Sequence, residues 1–282
     1  MSQPSFTILI VTYNSGREIS NLLNDLLLYG PGGKIIVIDN ASRDETVEVV
    51  QEHFPYVQLL RNSTNQGYAK AVNQGFALCD TDYVLLLNPD IRINSRQLFT
   101  EMVMCLNHSR QIAVAAPLQF KEEDGIQRLN FTWSYATLDA FKLYLSYFLK
   151  HRRSMTDPMR VTFLNAGCLL IRRTAFEQVG RLNEKYFLYG EEPDLFLKFR
   201  RHGFECYLLP SVEVIHFRER SLMTRPVSQR LQIRLLAARN ITDALIHGWA
   251  NILLDQLARK TIPFVTRKRQ TTYKKRLPSN PG

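Results

Sequence analysis

Two polar side chains that could bind a divalent cation follow a short apolar stretch in the first third of the chain. Tyr83–Leu87 (YVLLL) is typical of a strand buried on both faces, and Asn88, Pro89 and Asp90 end it. Polar groups after such a strand lie at the carboxyl edge of an open α/β sheet, where ligands bind. Oxygen ligands beside a proline suit a divalent metal that prefers oxygen, and they leave coordination positions for phosphate. On its own, the tripeptide fits an ordinary turn at least as well.

The elements that would position these groups are strands and helices that alternate through the first third of the chain. This alternation predicts an α/β fold, with a mostly parallel central sheet, flanking helices and right-handed crossovers. The loops after strands one, two and four should then open at one edge of the sheet and outline one site. The strands are predicted at Phe6–Thr12, Lys34–Asp39, Val57–Leu60 and Tyr83–Leu87, the helices at Glu18–Leu28, Asp44–His53 and Tyr68–Leu78, and the loops contain Thr12–Asn14, Asp39–Asn40 and Asn88–Asp90.

A second group of acidic residues begins a helical pattern in the second half of the chain. Glu191, Glu192 and Asp194 follow Gly190, with Pro193 in the first turn. A carboxylate held at a helix start can accept a proton if partial burial raises its pKa, although acids at this position also simply cap helices. Further along, His216 ends the apolar run Val212–Ile215. A histidine there is either a structural hydrogen-bonding group or a metal ligand.

Length and composition describe a globular chain with a basic tail. The 282 residues are 45% hydrophobic, enough for one large domain or two small ones. No apolar stretch approaches the roughly 18 residues that cross a bilayer, and the first strand stands where a secretory signal would lie, so we expect a cytoplasmic protein. The net charge of +10 is concentrated near the end. The cations there are Arg259, Lys260, Arg267, Lys268, Arg269, Lys274, Lys275 and Arg276, with no acidic residue among them.

Several other classes of site are excluded by spacing. The four cysteines are far apart and form no CxxC pair, which indicates core packing rather than a disulfide frame or a zinc site. The segment Gly30–Lys34 precedes a strand and has Ile35 where a phosphate-binding loop needs Ser or Thr. No GxGxxG follows the first strand, which argues against a dinucleotide-dependent dehydrogenase.

Seven segments carry a more specific signal as an ordered set: ILIVTYN, IIVIDNASRDET, RNSTNQGYAKAVNQG, YVLLLNPD, NAGCLLIRR, VGRLNEKYFLYGEEPDLFLKFRRHG and VIH. In order and spacing they resemble the family 2 glycosyltransferases of the GT-A fold, in particular the rhamnosyltransferase-type enzymes that build bacterial surface polysaccharide. The resemblance covers about residues 5–220. It implies a catalytic domain at 1–220 and a helical extension with the basic tail at 221–282.

The resemblance implies a donor site for a nucleotide-diphospho-sugar. Asp90 and His216 would hold Mg²⁺ or Mn²⁺ against the diphosphate, and Asn88 replaces the first acid of the more familiar DxD motif. Asp39 matches an aspartate that hydrogen-bonds the imide of a pyrimidine base, which favours UDP or dTDP. The remaining donor-binding candidates are Thr12, Tyr13, Asn14, Asn65, Gly67 and Lys70.

The resemblance also implies an acceptor side. The family usually has Glu-Asp-x-Asp where this chain has Glu191-Glu192-Pro193-Asp194, so Glu192 stands at the position of the catalytic base, with Asp194 as the substitute. The expected reaction is an inverting transfer from a dTDP- or UDP-sugar, with dTDP-rhamnose among the candidates, to a saccharide or lipid-linked saccharide. A second departure is Leu182-Asn183-Glu184 in place of the family's Phe-Asp-Glu.

Two alternatives and one partner remain open at this stage. The chain could be a sugar nucleotidyltransferase, or a sugar-nucleotide-binding module impaired by the Glu at the base position. Nucleic-acid binding is not expected, because the basic tail lacks a reading helix or stacking motif. We expect peripheral contact with the inner face of an anionic membrane through that tail. Two helical patterns, Trp133–Lys150 and a stripe after Ser228 that Gly248 interrupts, fit either packing or such contact.

Overall fold

The first third of the chain forms four parallel strands in the computed structural model, which describes residues 6–123, 126–129, 157–217 and 227–261. The central strand pairs in parallel with the second and fourth strands, and the second pairs with the third. Each intervening helix returns the chain to the same end of the sheet, as the alternation predicts. The elements are β1 (Phe6–Thr12), α1 (Gly16–Tyr29), β2 (Ile35–Asp39), α2 (Thr46–His53), β3 (Gln58–Arg61), α3 (Tyr68–Ala77) and β4 (Tyr83–Leu87).

The rest of the chain extends this sheet on the far side of β4, in the order β3-β2-β1-β4-β9-β6-β10-β5. Strand β9 is antiparallel to both of its neighbours, and β6 and β10 are parallel to each other. The sheet is therefore mixed: β1 to β4 are parallel to one another, as predicted, whereas most of the pairs beyond β4 are antiparallel. The elements are β5 (Ile91–Arg92), α4 (Gln97–His108), β6 (Ile112–Glu123), β7 (Ile126–Leu129), β8 (Met159–Val161), β9 (Cys168–Arg172), α5 (Arg173–Gln178), α6 (Glu191–Arg201), β10 (Glu205–His216) and α7 (Val227–Thr261).

Helices cover both faces of the sheet and give it two hydrophobic cores. Ile8 and Ile10 of β1 face the core that α1, α2 and α4 close, whereas Leu9 and Val11 face the core that α3, α5 and α6 close. Because both faces are buried, the strands read as continuous apolar runs rather than alternating ones. The four cysteines are buried and unpaired, which confirms that they pack in the core.

Strand β10 is longer than the sequence indicates. The apolar run predicted only Val212–Ile215, but the strand begins at Glu205 and pairs with β6 over most of its length. Its register shifts between Leu209 and Glu213, where Pro210 interrupts the pattern. A proline in a strand removes a hydrogen-bond donor, so a shift there lets pairing resume beyond it.

Helix α7 runs without a break through Gly248, the residue that interrupts the apolar stripe in the sequence. A side chain at this position would lie 2.2 Å from Leu197 Cδ1 of α6. The glycine is therefore a point of close helix packing, and α7 lies against α6 along this stretch. Within the described ranges, no helix is both long enough and apolar enough to cross a bilayer.

Candidate functional site

The turn after β4 and the end of β10 bring two predicted metal ligands together. Asn88–Asp90 form the turn from β4 to β5, and β5 pairs with β10 so that Ile91 is opposite His216. The Nε2 atom of His216 lies 3.1 Å from Asp90 Oδ1 and 3.5 Å from Asn88 Nδ2. His216 is buried, whereas Asn88 and Asp90 are half-buried and remain open to a ligand.

The hydrogen bonds of His216 direct its Nε2 atom at the carboxylate. Its Nδ1 atom lies 3.2 Å from Gln119 Oε1, and Gln119 Nε2 donates to the carbonyl of Asn165 at 2.9 Å, which orients the amide. With the proton on Nδ1, the Nε2 lone pair faces Asp90 Oδ1, and two acceptors at this distance require a proton or a cation between them. The pair therefore fits a divalent cation.

The protein supplies only part of a coordination sphere at this point. The described residues contain no group of three or more His, Cys, Asp or Glu side chains that could hold a metal. Mg²⁺ and similar ions are commonly bound by one or two carboxylates together with water and substrate phosphates. One carboxylate and one imidazole suit an ion that arrives with a diphosphate.

Two features that the sequence analysis missed fix the turn. Arg92 donates two hydrogen bonds to the buried carboxylate of Asp25 on α1, from Nε at 2.6 Å and Nη2 at 2.9 Å, and the Ile93 N–H adds a third. Bidentate pairing of this kind holds the segment after Asp90 in one place.

The second feature is Gly167, which precedes β9. Its carbonyl accepts the Asn88 N–H at 2.9 Å, and a side chain there would lie 2.7 Å from both His216 Nδ1 and Gln119 Oε1. Only glycine allows the backbone to pass so close to the imidazole.

The loops after β1 and β2 form the adjoining part of the site. Asp39 is 1% exposed, and its two oxygens accept from Thr12 Oγ1 at 3.2 Å and from the Ser42 N–H at 3.1 Å. Each carboxylate oxygen can accept a further bond. Tyr13 is exposed at the rim beside them, and its contact with a ligand stays a prediction.

Two of the four non-glycine residues with positive φ in the described part of the chain lie in these loops. Asn14 and Ala41 have φ values of 53° and 68°, in the left-handed region that costs energy for residues other than glycine. The Asn14 side-chain oxygen accepts the Arg43 N–H at 2.8 Å. The backbone N–H of Asn14 donates to Ser42 Oγ at 2.9 Å. The two loops are therefore held against each other by side-chain contacts that offset the strain.

The loop before α3 is joined to β2 by Asn40, which the sequence analysis did not select. Its Nδ2 atom donates to Asn65 Oδ1 at 2.9 Å and to the Gly67 carbonyl, and its Oδ1 accepts the Gln66 N–H. Asn65 Oδ1 also accepts the Gly67 N–H. The predicted donor residues Asn65 and Gly67 therefore have a structural task in shaping this loop.

Gly67 and Phe187 join the donor half of the site to the acceptor half. Gly67 has φ 85° and ψ 159°, a conformation essentially restricted to glycine, and a side chain there would lie 2.8 Å from the Phe187 carbonyl oxygen. The next residue, Tyr68, donates its N–H to the same carbonyl at 2.8 Å.

Tyr68 connects the two acidic parts of the site, and the sequence analysis did not predict it. Its hydroxyl donates to Asn88 Oδ1 at 3.3 Å. Burial, followed by the carboxylates of Glu192, Glu191 and Asp90, raises the pKa of this phenol well above its usual value. The phenol therefore lies close to both the metal turn and the start of α6.

The start of α6 presents three acids in different surroundings. Gly190, with φ 95°, precedes the helix. Glu191 is 2% exposed, its Oε2 atom has no hydrogen-bond partner, and burial together with Glu192 raises its pKa to about 8. Glu192 is half-buried. Asp194 pairs with Lys198 one turn along, at 2.8 Å.

Helix α7 holds the loop that leads into these acids. Asn240 Nδ2 donates to the Leu188 carbonyl at 3.0 Å, and Asp243 accepts from Lys185 Nζ at 2.9 Å and from the Tyr186 hydroxyl at 2.8 Å. The backbone of Asn240 also lies close to Gly190. The extension after residue 227 is therefore part of the support of the acceptor side.

Some of the remaining predicted residues lie in the described part of the chain and others do not. Leu182-Asn183-Glu184, which departs from the family pattern, is joined to α3 through Asn73, which bonds both backbone groups of Leu182 and the Glu184 carboxylate. Lys70 is half-buried in the first turn of α3, and its contact with a phosphate stays a prediction. The Trp133–Lys150 pattern and the basic tail beyond residue 261 lie outside the described residues.

Comparison with known proteins gives a consistent identification. Residues 7–180 match the family model described as glycosyl transferase family 2. The chain is 28% identical over 243 residues to an N-acetylglucosaminyl-diphospho-decaprenol L-rhamnosyltransferase of Mycobacterium tuberculosis, covering 78% of each chain. It is 24% identical over 220 residues to rhamnosyltransferase WbbL of Escherichia coli K12, covering 74% of this chain and 82% of that relative.

A solved structure supports the fold. The crystal structure of GalNAc-T7 with UDP, GalNAc and Mn²⁺ superposes with a TM-score of 0.60 at 18% identity, covering 76% of this chain but only 44% of the other. The resemblance therefore extends to the fold, a GT-A-like α/β architecture, and to less than half of that protein's length. The family model matches residues 7–180, more than half of the 282 residues of this chain. The chain therefore belongs to the family 2 glycosyltransferases.

Proposed function

We propose that this transferase moves a sugar from a nucleotide diphosphate to an acceptor hydroxyl in a single displacement with inversion. The observation that carries the proposal is the Asp90–His216 pair, 3.1 Å apart, linked through Asn88 and Tyr68 to the acids at the start of α6. A direct transfer requires a site for the leaving group and a group that accepts a proton. Tyr68 lies close to the candidates for both.

On the donor side, Asp90 and His216 would hold a divalent cation, Mg²⁺ or Mn²⁺, together with the diphosphate. When bound, the ion neutralises the charge that develops on the leaving diphosphate. Asp39 and Thr12 offer hydrogen-bonding groups to a base, and Tyr13 and Asn14 border it. Asn65 and Gly67 shape the adjacent loop, and Lys70, in the first turn of α3, would approach a phosphate.

On the acceptor side, Glu192 is the proposed base. Burial leaves Glu191 with a raised pKa, so at neutral pH it retains its proton, and Asp194 is engaged by Lys198. Glu192 is half-buried at the position of the family's catalytic base and would accept the proton of the attacking hydroxyl. The oxygen then bonds to the anomeric carbon from the face opposite the departing diphosphate, which inverts the configuration.

The relatives guide the choice of substrates. Two are named rhamnosyltransferases, and one name specifies a lipid-linked acceptor, N-acetylglucosaminyl-diphospho-decaprenol. We therefore propose a dTDP- or UDP-sugar as donor, with dTDP-rhamnose as the first candidate, and a lipid-linked saccharide of a surface polysaccharide as acceptor. Asp39 is buried, and each of its oxygens can accept one more hydrogen bond, so the carboxylate suits the imide N–H of either pyrimidine.

Calorimetric titration of the native chain with dTDP, UDP and GDP, each with and without Mn²⁺, tests the donor site. We expect metal-dependent binding of a pyrimidine diphosphate that Asp90→Ala abolishes, because the variant loses the only carboxylate of the pair. Asp80→Ala, at an exposed aspartate before β4, is the matched control and should bind as the native chain does. The absence of binding by all three nucleotides would refute the assignment of the donor site.

A further inference from the structure

One face of helix α7 is largely apolar and exposed within the described residues. Six of the twelve exposed large hydrophobic side chains in the described part of the chain belong to this one helix. Most of them fall on one stripe, with members three or four residues apart, so that they share a face. The α7 stripe consists of Leu231, Leu235, Ala238, Thr242, Ile246, Trp249 and Leu253, all exposed.

The stripe is long and its orientation is fixed by the opposite face of the helix. From Leu231 to Leu253 it extends about 33 Å at 1.5 Å per residue. On the other face, Ala244 is fully buried and Gly248 lies against Leu197 of α6. On the stripe itself, the Arg200 guanidinium of α6 lies 4.8 Å from the ring centre of Trp249, which remains 37% exposed. The helix is therefore packed against the catalytic fold and presents its stripe outward. Apolar area of this extent on a protein surface marks an interaction site.

The charge of the chain identifies the kind of partner. No acidic residue follows Asp255, and the eight cations from Arg259 to Arg276 account for most of the net charge of +10. An apolar helix face followed by clustered cations is complementary to a lipid surface that carries negative charge. Contact between two copies of the chain would explain the stripe but not the adjacent excess of cations, which would repel each other.

We propose that the α7 stripe lies in the interface of an anionic membrane, with the cations after it on the lipid headgroups. Trp249 is then at the depth that tryptophan prefers, between headgroups and acyl chains. The protein lies on the membrane surface and does not cross it.

This position has a consequence for the reaction, and that part rests on the proposed function. Asn240 and Asp243, on a neighbouring face of the same helix, hold the 185–188 loop that leads into Glu191 and Glu192. The loop and α7 together line a cleft. Ile246 is one of the residues that line it, and Ile246 also belongs to the stripe. The cleft therefore adjoins the lipid surface, where a lipid-linked saccharide would be presented to the acceptor side.

Binding of the full-length chain to vesicles tests the proposal without any catalysis. The vesicles are phosphatidylcholine alone, or phosphatidylcholine mixed with phosphatidylglycerol, and the readout is co-sedimentation. The test variant is Leu231→Gln with Leu235→Gln, whose side chains are 58% and 62% exposed. The matched control is Leu27→Gln with Leu28→Gln on α1, whose side chains are 57% and 63% exposed.

We expect the native chain and the α1 control to bind the anionic vesicles and the stripe variant to bind about tenfold more weakly or not at all, because apolar contact and charge act together. Raised salt should weaken the native binding as well. Equal binding of the stripe variant and the native chain would overturn the proposal. So would a native dimer that the stripe substitutions convert to a monomer in sedimentation velocity, because the stripe would then be covered by a second copy.

Calorimetry with the nucleotide separates this result from the proposed function. The stripe lies outside the donor site, so both double variants should bind the nucleotide diphosphate as the native chain does. Loss of vesicle binding with nucleotide binding intact supports the membrane contact. If the stripe variant loses both vesicle binding and nucleotide binding and its thermal unfolding transition changes, the variant is misfolded and Leu253→Gln replaces it. Leu253 also lies on the stripe, so unchanged vesicle binding by Leu253→Gln would count against the proposal.

Discussion

Glu191 and Glu192 are adjacent in the chain, yet the fold gives them different chemistry. The Glu191 side chain turns into the core, where burial and its neighbour raise its pKa to about 8, whereas Glu192 keeps access to solvent. Two carboxyl groups whose surroundings separate their protonation are typical of active sites. A proton held on Glu191 reduces the repulsion that Glu192 would meet when ionised.

A substitution series at Glu192 tests its assignment as the base. We expect Glu192→Gln to lower turnover by about 10²- to 10⁴-fold, the usual contribution of a general base, while nucleotide binding stays intact. Glu192→Asp keeps a carboxylate, at the length usual in the family, and should retain measurable transfer. The measurement is steady-state turnover of the sugar derivative of whichever nucleotide binds in calorimetry.

Asp194→Asn provides the comparison for this series. Asp194 is held by Lys198, so its loss should reduce turnover much less than the loss of Glu192. A large decrease in Asp194→Asn with near-native turnover in Glu192→Gln would move the base to Asp194, the substitute that the sequence analysis retained.

At the scale of elements, the site depends on loops that meet from distant parts of the chain. The loop before α3 and the loop before α6 touch at Gly67 and Phe187, and Tyr68 continues the contact toward the metal turn. The donor and acceptor halves therefore cannot move apart at this point without breaking backbone contacts.

Replacement of Gly67 by alanine tests this junction. The native backbone has φ 85°, and an added Cβ would meet the Phe187 carbonyl oxygen at 2.8 Å, so we expect both strain and displacement of the loop. The free energy of unfolding should fall by about 2–4 kcal/mol, the sum of a left-handed backbone penalty and an overpacking cost. Urea denaturation and nucleotide titration measure the two effects.

Gly180 offers the matched control for this substitution. It has φ 83° and open space around the position of a Cβ. Gly180→Ala should therefore cost only the backbone penalty of about 1–2 kcal/mol and leave nucleotide binding unchanged. Equal losses in the two variants would mean that the contact with Phe187 contributes nothing.

At the scale of the whole molecule, the buried carboxyl of Glu191 couples folding to pH. Between its ordinary pKa of 4.5 and its raised value of about 8, the folded chain holds a proton that the unfolded chain releases. Because the folded state binds more protons in this window, stability falls as pH rises through it, by up to about 1.4 kcal/mol per pH unit.

Glu191→Gln should remove this contribution, since an amide imitates the protonated acid and does not titrate. The difference in unfolding free energy between variant and native chain is then expected to grow in favour of the variant from about pH 5 to about pH 8. Urea denaturation across this range measures the difference. Glu52→Gln, at an exposed position of α2, is the control and should follow the native chain. A constant difference for Glu191→Gln would show that Glu191 is not protonated in the fold.

Much of the fold was determined by the sequence alone. The first four strands and three helices lie within two residues of their predicted bounds, because continuous apolar runs and helical periodicity report local burial directly. The same patterns predicted only the last part of β10, Val212–Ile215, because pairing with β6 extends this strand back to Glu205.

The sequence also predicted which polar residues form the site, and it predicted that several of them lie at the ends of strands. Asp90 and Asp39 follow buried strands, and a parallel sheet brings the ends of its strands to one edge. The acids of α6 begin a helical pattern after Gly190. Residue order alone was enough for the family resemblance as well.

Only the tertiary structure decided which groups act on one another. Gln119 meets His216 across 97 residues, Arg92 meets Asp25 across 67, and Tyr68 lies close to the carboxylates of Glu191 and Glu192. Burial of Glu191 rather than Glu192, and the outward direction of the α7 stripe, follow from how α6 and α7 pack on the sheet. Protonation and exposure depend on neighbours in space, and the periodicity of a single segment carries no record of them.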